Sequence, residues 1–139
     1  MQPLSPVERT LTQLDHVRLR RLLDDTAAAH AELPLADLLA SSDLVTSTAV
    51  PPDTVTMNSR VLLADVDAAG GAPYKLTLCY PKDARPAEGF VSVLSPVGTA
   101  LLGLRTGDTA RWPTPLGGES RATIRAVLFQ PEASGDYLR

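Results

Sequence analysis

The chain of 139 residues has one cysteine, Cys79, and two histidines, His16 and His30. A single thiol excludes an internal disulfide framework and argues against a cysteine-based metal site. The two imidazoles lie near opposite ends of one predicted helix with no cysteine at ligand spacing, so both read as surface histidines. Aromatic residues make up only 4% of the chain, so the core must be built from Leu, Val, Ala and Ile. No apolar run approaches the ~20 residues a membrane-crossing helix needs. The start of the chain, MQPLSPVERTLTQLDH, lacks the charged-then-apolar layout of a secretory signal. A surplus of base is missing too: 13 Lys and Arg stand against 16 Asp and Glu, a net charge of −3. That argues against a general nucleic-acid binder, which needs cations to displace phosphate counterions. These absences point to a soluble protein of a reducing compartment, most simply the bacterial cytoplasm, with no membrane contact and no direct nucleic-acid contact; a monomer is the expectation.

The motifs of chemistry are absent as well. No G-x-S-x-G elbow presents a serine nucleophile. Gly98–Gly107 has glycines but no Lys-Ser/Thr, so it is not a phosphate loop. Asp65-Val-Asp67-Ala-Ala-Gly70 echoes a calcium loop, but Leu76 stands where the bidentate glutamate is required; it reads as a polar hairpin turn. Cys79 sits in an alternating segment and reads as a small hydrophobe. Neither a cofactor nor a metal is expected.

What is present is one domain's worth of globular sequence, 44% hydrophobic and 21% charged. Met1–Thr12, with two prolines, reads as part of a loose lead-in covering residues 1–13. A helix is expected from Leu14-Asp15, with Asp15 as its cap. Leu19, Leu22, Leu23 and Thr26 line its inner face, and Arg18, Arg20 and Arg21 form a solvated one. It should fade over Ala27–Glu32. A second helix is expected from Pro34, with Leu35, Leu38, Leu39 and Ser42 inward. It weakens at Thr46–Thr48 and ends before Pro51-Pro52. The short connection makes 14–50 an antiparallel helical hairpin. Asp24, Asp25 and Glu32 flank its tip; carboxylates there suit Mg²⁺, although solvated loop charges account for them more simply.

After Pro52 the period changes to two. Strands are expected at Arg60–Val66, Tyr74–Tyr80, Phe90–Leu94, Thr109–Trp112 and Ala122–Phe129, with a short helix at Pro96–Leu102 closed by Gly103. The fold class is α+β: a short N-terminal helical hairpin, then a small antiparallel sheet with one short helix in residues 51–139. Between strand and helix, Ser95-Pro96 makes a stiff corner, since proline sets its own φ and restricts the residue before it. Such a corner presents Leu94, Ser95 and Pro96 at low entropic cost. On chemistry alone a docking surface and a plain strand-to-helix turn stand level.

Three stretches carry a resemblance: Val55-Thr-Met-Asn-Ser-Arg60; Leu94-Ser-Pro-Val-Gly98 through Ala100-Leu-Leu-Gly103 to Gly107-Asp108; and Gln130-Pro-Glu-Ala-Ser-Gly-Asp-Tyr137. Together they resemble the Rnk family, regulators of nucleoside diphosphate kinase, and the second also resembles the C-terminal domain of the Gre transcript-cleavage factors. The resemblance implies an FKBP-like C-terminal domain behind a short coiled coil. It implies RNA polymerase as partner, at the rim of the secondary channel, with Leu94, Ser95, Pro96 and Val97 as the contact. It departs at the hairpin tip, Asp25-Thr-Ala-Ala-Ala-His-Ala-Glu32, which has no adjacent Asp-Glu pair for stimulating RNA cleavage. Helices of about 12–15 residues extend only about 18–22 Å, too short to reach a buried active site. The expectation is a non-enzymatic regulator that competes with Gre factors and affects nucleoside diphosphate kinase indirectly. The alternatives are a weak accessory of transcript cleavage acting through Asp24, Asp25 and Glu32, and an FKBP-type prolyl isomerase, for which the aromatics are too few.

Overall fold

Thr12 starts the first helix: its Oγ1 accepts the Asp15 backbone N–H at 3.0 Å, occupying one of the free donors of the first turn. The computed structural model describes residues 9–25, 34–66, 72–114 and 116–135. Its elements run β1 (Thr10–Thr12), α1 (Gln13–Asp25), α2 (Pro34–Ser41), β2 (Asp43–Val45), β3 (Arg60–Asp65), β4 (Tyr74–Cys79), β5 (Phe90–Ser92), α3 (Pro96–Leu101), β6 (Thr109–Pro113) and β7 (Glu119–Phe129). Helix α1 therefore begins before the expected Asp15, whose carboxylate is used elsewhere.

Two expectations for the N-terminal part need correction. The last residues of the expected loose lead-in are held. Thr10–Thr12 pairs in parallel with Asp43–Val45, the Asp43 N–H donates to the Arg9 carbonyl at 2.9 Å, and the Thr10 N–H donates to the Gly103 carbonyl at 3.1 Å. Helix α2 stops at Ser41, well short of Pro51. Ser41 and Ser42 donate their hydroxyls to the Asp37 and Leu38 carbonyls. That satisfies the last turn locally and frees Asp43–Val45 to extend as a strand. Thr26 and His30 lie outside the described residues.

The main sheet has the order β5-β4-β3-β7-β6. All its pairings are antiparallel except β4–β5, which is parallel with Leu78 opposite Val91. The antiparallel expectation fails at that edge for a physical reason. The connection spends two one-turn 3-10 helices, Pro81–Asp83 and Pro86–Glu88, in carrying the chain back along the sheet. Strand β7 is longer than expected and departs from regular register against β3 at two places.

One face of the sheet is covered. Val61, Leu63, Leu78, Ala110, Ala122 and Ile124 from the strands join Leu101, Leu102 and Leu104 around α3, and Leu11, Leu19, Leu35 and Leu39 from the N-terminal part, in one buried cluster. Each fully buried leucine contributes about 1.5–3 kcal/mol. The N-terminal helices are therefore bound to the sheet by the same core that holds the sheet together. As the composition required, aliphatic side chains build this core, with Tyr74, Tyr80 and Trp112 packed half-buried against it.

Candidate docking corner and its anchorage

The Ser95-Pro96 corner is built from one hydroxyl used twice. Ser95 has extended φ and ψ of −73° and 157°; its Oγ accepts the Gly98 N–H at 3.1 Å and donates to the Ser92 carbonyl at 2.6 Å. Pro96 takes the first helical position, where its missing N–H loses nothing. Thr99, buried, donates its hydroxyl to the Val93 carbonyl at 2.6 Å. Gly98 lets the helix lie against the strand before it. A Cβ there would stand 1.9 Å from the Ser92 carbonyl oxygen, inside any possible contact. Of the four residues expected at this surface, Pro96 is exposed, while Leu94 and Val97 are half-buried and pack against the core. Ser95 turns its hydroxyl inward, so its part in the corner is structural.

The far end of α3 is held by Arg9. Its guanidinium donates to the carbonyls of Thr99, Ala100 and Leu102 at 3.2, 3.0 and 2.8 Å. These are the acceptors a helix leaves open at its C-terminus, where a cation also meets the negative end of the helix dipole. Burial lowers the Arg9 pKa and the nearby Asp108 charge opposes that. Gly103, at φ 83°, then turns the chain: its N–H donates to the Val55 carbonyl and the Val55 N–H to the Leu104 carbonyl, both at 2.8 Å.

Behind the corner lies a buried polar joint between α1 and the sheet. Residues Thr56–Ser59 form a tight turn, closed by the Ser59 N–H donating to the Thr56 carbonyl and by Asn58 in the left-handed region at φ 68°. The turn aims the Met57 N–H at α1, where the Asp15 Oδ2 accepts it at 3.1 Å. Thr56 donates its hydroxyl to Glu132 at 2.7 Å and shares a hydrogen bond with Ser59. Gln130 donates its amide to the carbonyls of Pro51 and Thr54, both at 2.7 Å. The Val55–Arg60 and Gln130–Gly135 stretches, read separately in the sequence, are thus two sides of one joint. Asp15 is only 2% exposed, and burial pushes its carboxyl up to about 7, with the Glu132 charge acting in the same direction and the Met57 hydrogen bond and Arg18 against it. The Tyr80 hydroxyl, pushed up to about 12, first by burial and then by Asp15, adjoins the same group.

Arg18 is half-buried at this joint, not on a solvated face, whereas Arg20 and Arg21 are exposed. His16 is half-buried and not a surface group: its Nε2 donates to the Leu39 carbonyl at 3.1 Å, tying α1 to α2. The Cys79 thiol is buried, donates to the Val91 carbonyl at 3.4 Å and is pushed up by burial, as suits a small hydrophobe. Asp24 is exposed near the end of α1; Asp25 is the last residue of that helix, and Glu32 lies outside the described residues. Among the described residues no group of three His, Cys, Asp or Glu is placed to hold a metal ion, and no helix is long and apolar enough to cross a membrane.

Residues 50–129 match the family model described as the C-terminal domain of the transcription elongation factors GreA/GreB. A regulator of nucleoside diphosphate kinase of Escherichia coli (strain K12) is 38% identical over 132 residues, 92% of this chain and 94% of that protein. A transcription elongation factor GreA of Solidesulfovibrio magneticus is 36% identical over 84 residues, 60% of this chain and 50% of that protein. Among solved structures, a prokaryotic transcription elongation factor GreA/GreB from Nitrosomonas europaea superposes with a TM-score of 0.72 at 37% identity, over 92% of this chain and all of that one.

Proposed function

The chain belongs to the GreA/GreB C-terminal-domain family and, within it, to the regulators of nucleoside diphosphate kinase, and on that premise we propose that it is a non-catalytic regulator that docks on RNA polymerase near the secondary channel, where Gre factors compete for the same place. The observation that carries this reading is the corner itself. Pro96 stands exposed at the start of α3, while Ser95, Gly98, Thr99 and Arg9 fix everything behind it. A contact held that rigidly loses little entropy on binding. The N-terminal arm supports the non-catalytic half of the reading. Helix α1 has 13 residues, about 20 Å at 1.5 Å per residue, a reach suited to the rim of a channel and not to its depth. An effect on nucleoside diphosphate kinase then follows from altered transcription and not from contact with the kinase.

The test is Pro96→Glu. Pro96 is exposed and at the first helical position, where an acidic residue is favourable to the helix, so the variant keeps the fold. It is expected to lose retention on immobilised core RNA polymerase. Retention equal to that of the parent chain contradicts the assignment of the corner.

A further inference from the structure

The open face of the sheet is basic. In β3 the buried Val61 and Leu63 point to the core, so Arg60, Leu62 and Ala64 point away from it. Register carries the same parity across the sheet: Leu62 lies opposite Lys75 on β4 and Ala126 on β7, and Arg111 on β6 lies opposite Arg121 on β7. Arg125 occupies the register shift between Ile124 and Ala126. Arg60, Lys75, Arg111 and Arg125 are all exposed, and among the described residues none of the four forms an ion pair with an acid. They span four neighbouring strands, about 14 Å across at the usual strand spacing. Of the acids in these strands, Glu119 stands at one end of β7, and Asp65 accepts the Tyr74 hydroxyl at 2.8 Å.

A like-signed face in a chain of net charge −3 is not explained by protection of sheet edges, because β3 and β7, which carry Arg60 and Arg125, are interior strands. Nor is the face wholly polar. Half-buried Leu62 and Ala126 lie between the cations, and Leu128, 45% exposed, occupies the second register shift, between Val127 and Phe129. An apolar centre with a charged rim is the make-up of a protein interface.

We propose that this outer sheet face is a second docking surface, and that it takes an acidic protein surface, carboxylates meeting Arg60, Lys75, Arg111 and Arg125 around an apolar contact at Leu62 and Leu128. A nucleic-acid backbone fits less well, since it offers nothing to the leucines and is repelled by the net charge of the chain. Within the function proposed above, and resting on it, the acidic surface belongs to the polymerase; the face would then steer and orient the complex whose fixed point is Pro96.

The experiment compares the full chain with the variant Arg60→Glu/Lys75→Glu/Arg125→Glu, and with the milder Arg60→Gln/Lys75→Gln/Arg125→Gln should reversal impair folding, judged by thermal unfolding. Binding to core RNA polymerase is measured at low and high salt, about 50 and 300 mM. Polyglutamate and a short duplex DNA serve as independent probes. The expected result is a roughly tenfold or greater loss of polymerase affinity at low salt, with a flattened salt dependence, whereas Pro96→Glu weakens binding at both salts and keeps the slope. Polyglutamate is expected to bind the parent chain better than duplex DNA does, and to lose binding in the triple variant. Unchanged polymerase affinity in the triple variant overturns the proposal, as does tighter binding of duplex DNA than of polyglutamate. If the parent chain fails to bind polymerase, the proposed function falls; the probes then decide the sheet face alone, and failure of polyglutamate to bind overturns it too.

Discussion

The Arg9 guanidinium donates to the Leu102 carbonyl at 2.8 Å, across 93 residues of sequence, and so closes α3 with a side chain from the residue just before β1. The same guanidinium reaches the Thr99 and Ala100 carbonyls. Hydrogen bonds from a charged donor contribute about 1.5–3 kcal/mol. Arg9→Ala is therefore expected to lower stability by about 2 kcal/mol and to speed amide exchange in the last turn of α3 and at Gly103. Urea unfolding and hydrogen exchange check both; unchanged exchange at Leu102 and Gly103 contradicts the anchoring role.

Gly98 is required by space, not by backbone conformation. Its missing Cβ is what lets α3 sit on the Ser92 carbonyl. Gly98→Ala must push the helix away from β5 and break the Ser95 cap with it. A loss of about 3 kcal/mol or more is expected, read as a fall in the thermal midpoint, together with weaker polymerase retention.

Asp15 makes stability depend on pH in a defined direction. Its native carboxyl is raised to about 7, chiefly by burial, so the folded chain holds this proton more tightly than the unfolded one does. Its contribution to stability is greatest below the ordinary carboxylate range, declines as pH rises from about 4 to about 7, and is flat above that. Three pKa units correspond to at most about 4 kcal/mol. Asp15→Asn keeps an acceptor for the Met57 N–H and removes the titration. The variant should gain stability relative to the parent chain on going from pH 5 to pH 8 in urea unfolding. An equal difference at both pH values would show that Asp15 is not buried as described.

The Thr56 hydroxyl and the Glu132 carboxylate, 2.7 Å apart, join two stretches that local structure keeps separate. Thr56→Val and Glu132→Gln, singly and together, form a double-mutant cycle. Residues sharing one hydrogen-bond network couple by about 0.5–3 kcal/mol, and a coupling near 1 kcal/mol is expected. A coupling of zero means that the joint does not rest on this pair.

The strands and α3 were legible because their signals are local. Alternation marked β3 and β4, glycine and proline punctuated the loops, and Ser95-Pro96 announced a helix start. The parallel pair β1–β2 was not legible: three residues each carry no period, and the two segments meet only in the fold, where the Asp43 N–H reaches the Arg9 carbonyl. Asp15 misled for a related reason. An acid at the head of a helix looks like a cap, but Thr12 three residues earlier already fills that place, which turns the Asp15 carboxylate toward Met57. The corner was legible as a corner, yet the double use of the Ser95 hydroxyl, accepting from Gly98 and donating to the Ser92 carbonyl, was not. The cation face needed register: Arg60, Lys75, Arg111 and Arg125 are scattered in sequence and adjacent only across strands.

Competition for the polymerase is the most direct measurement of the proposed docking. Core RNA polymerase carrying this chain should release it on addition of a Gre factor in a concentration-dependent way, and Pro96→Glu should fail to displace a Gre factor already bound. Simultaneous, undisturbed binding of both proteins to one polymerase would contradict it.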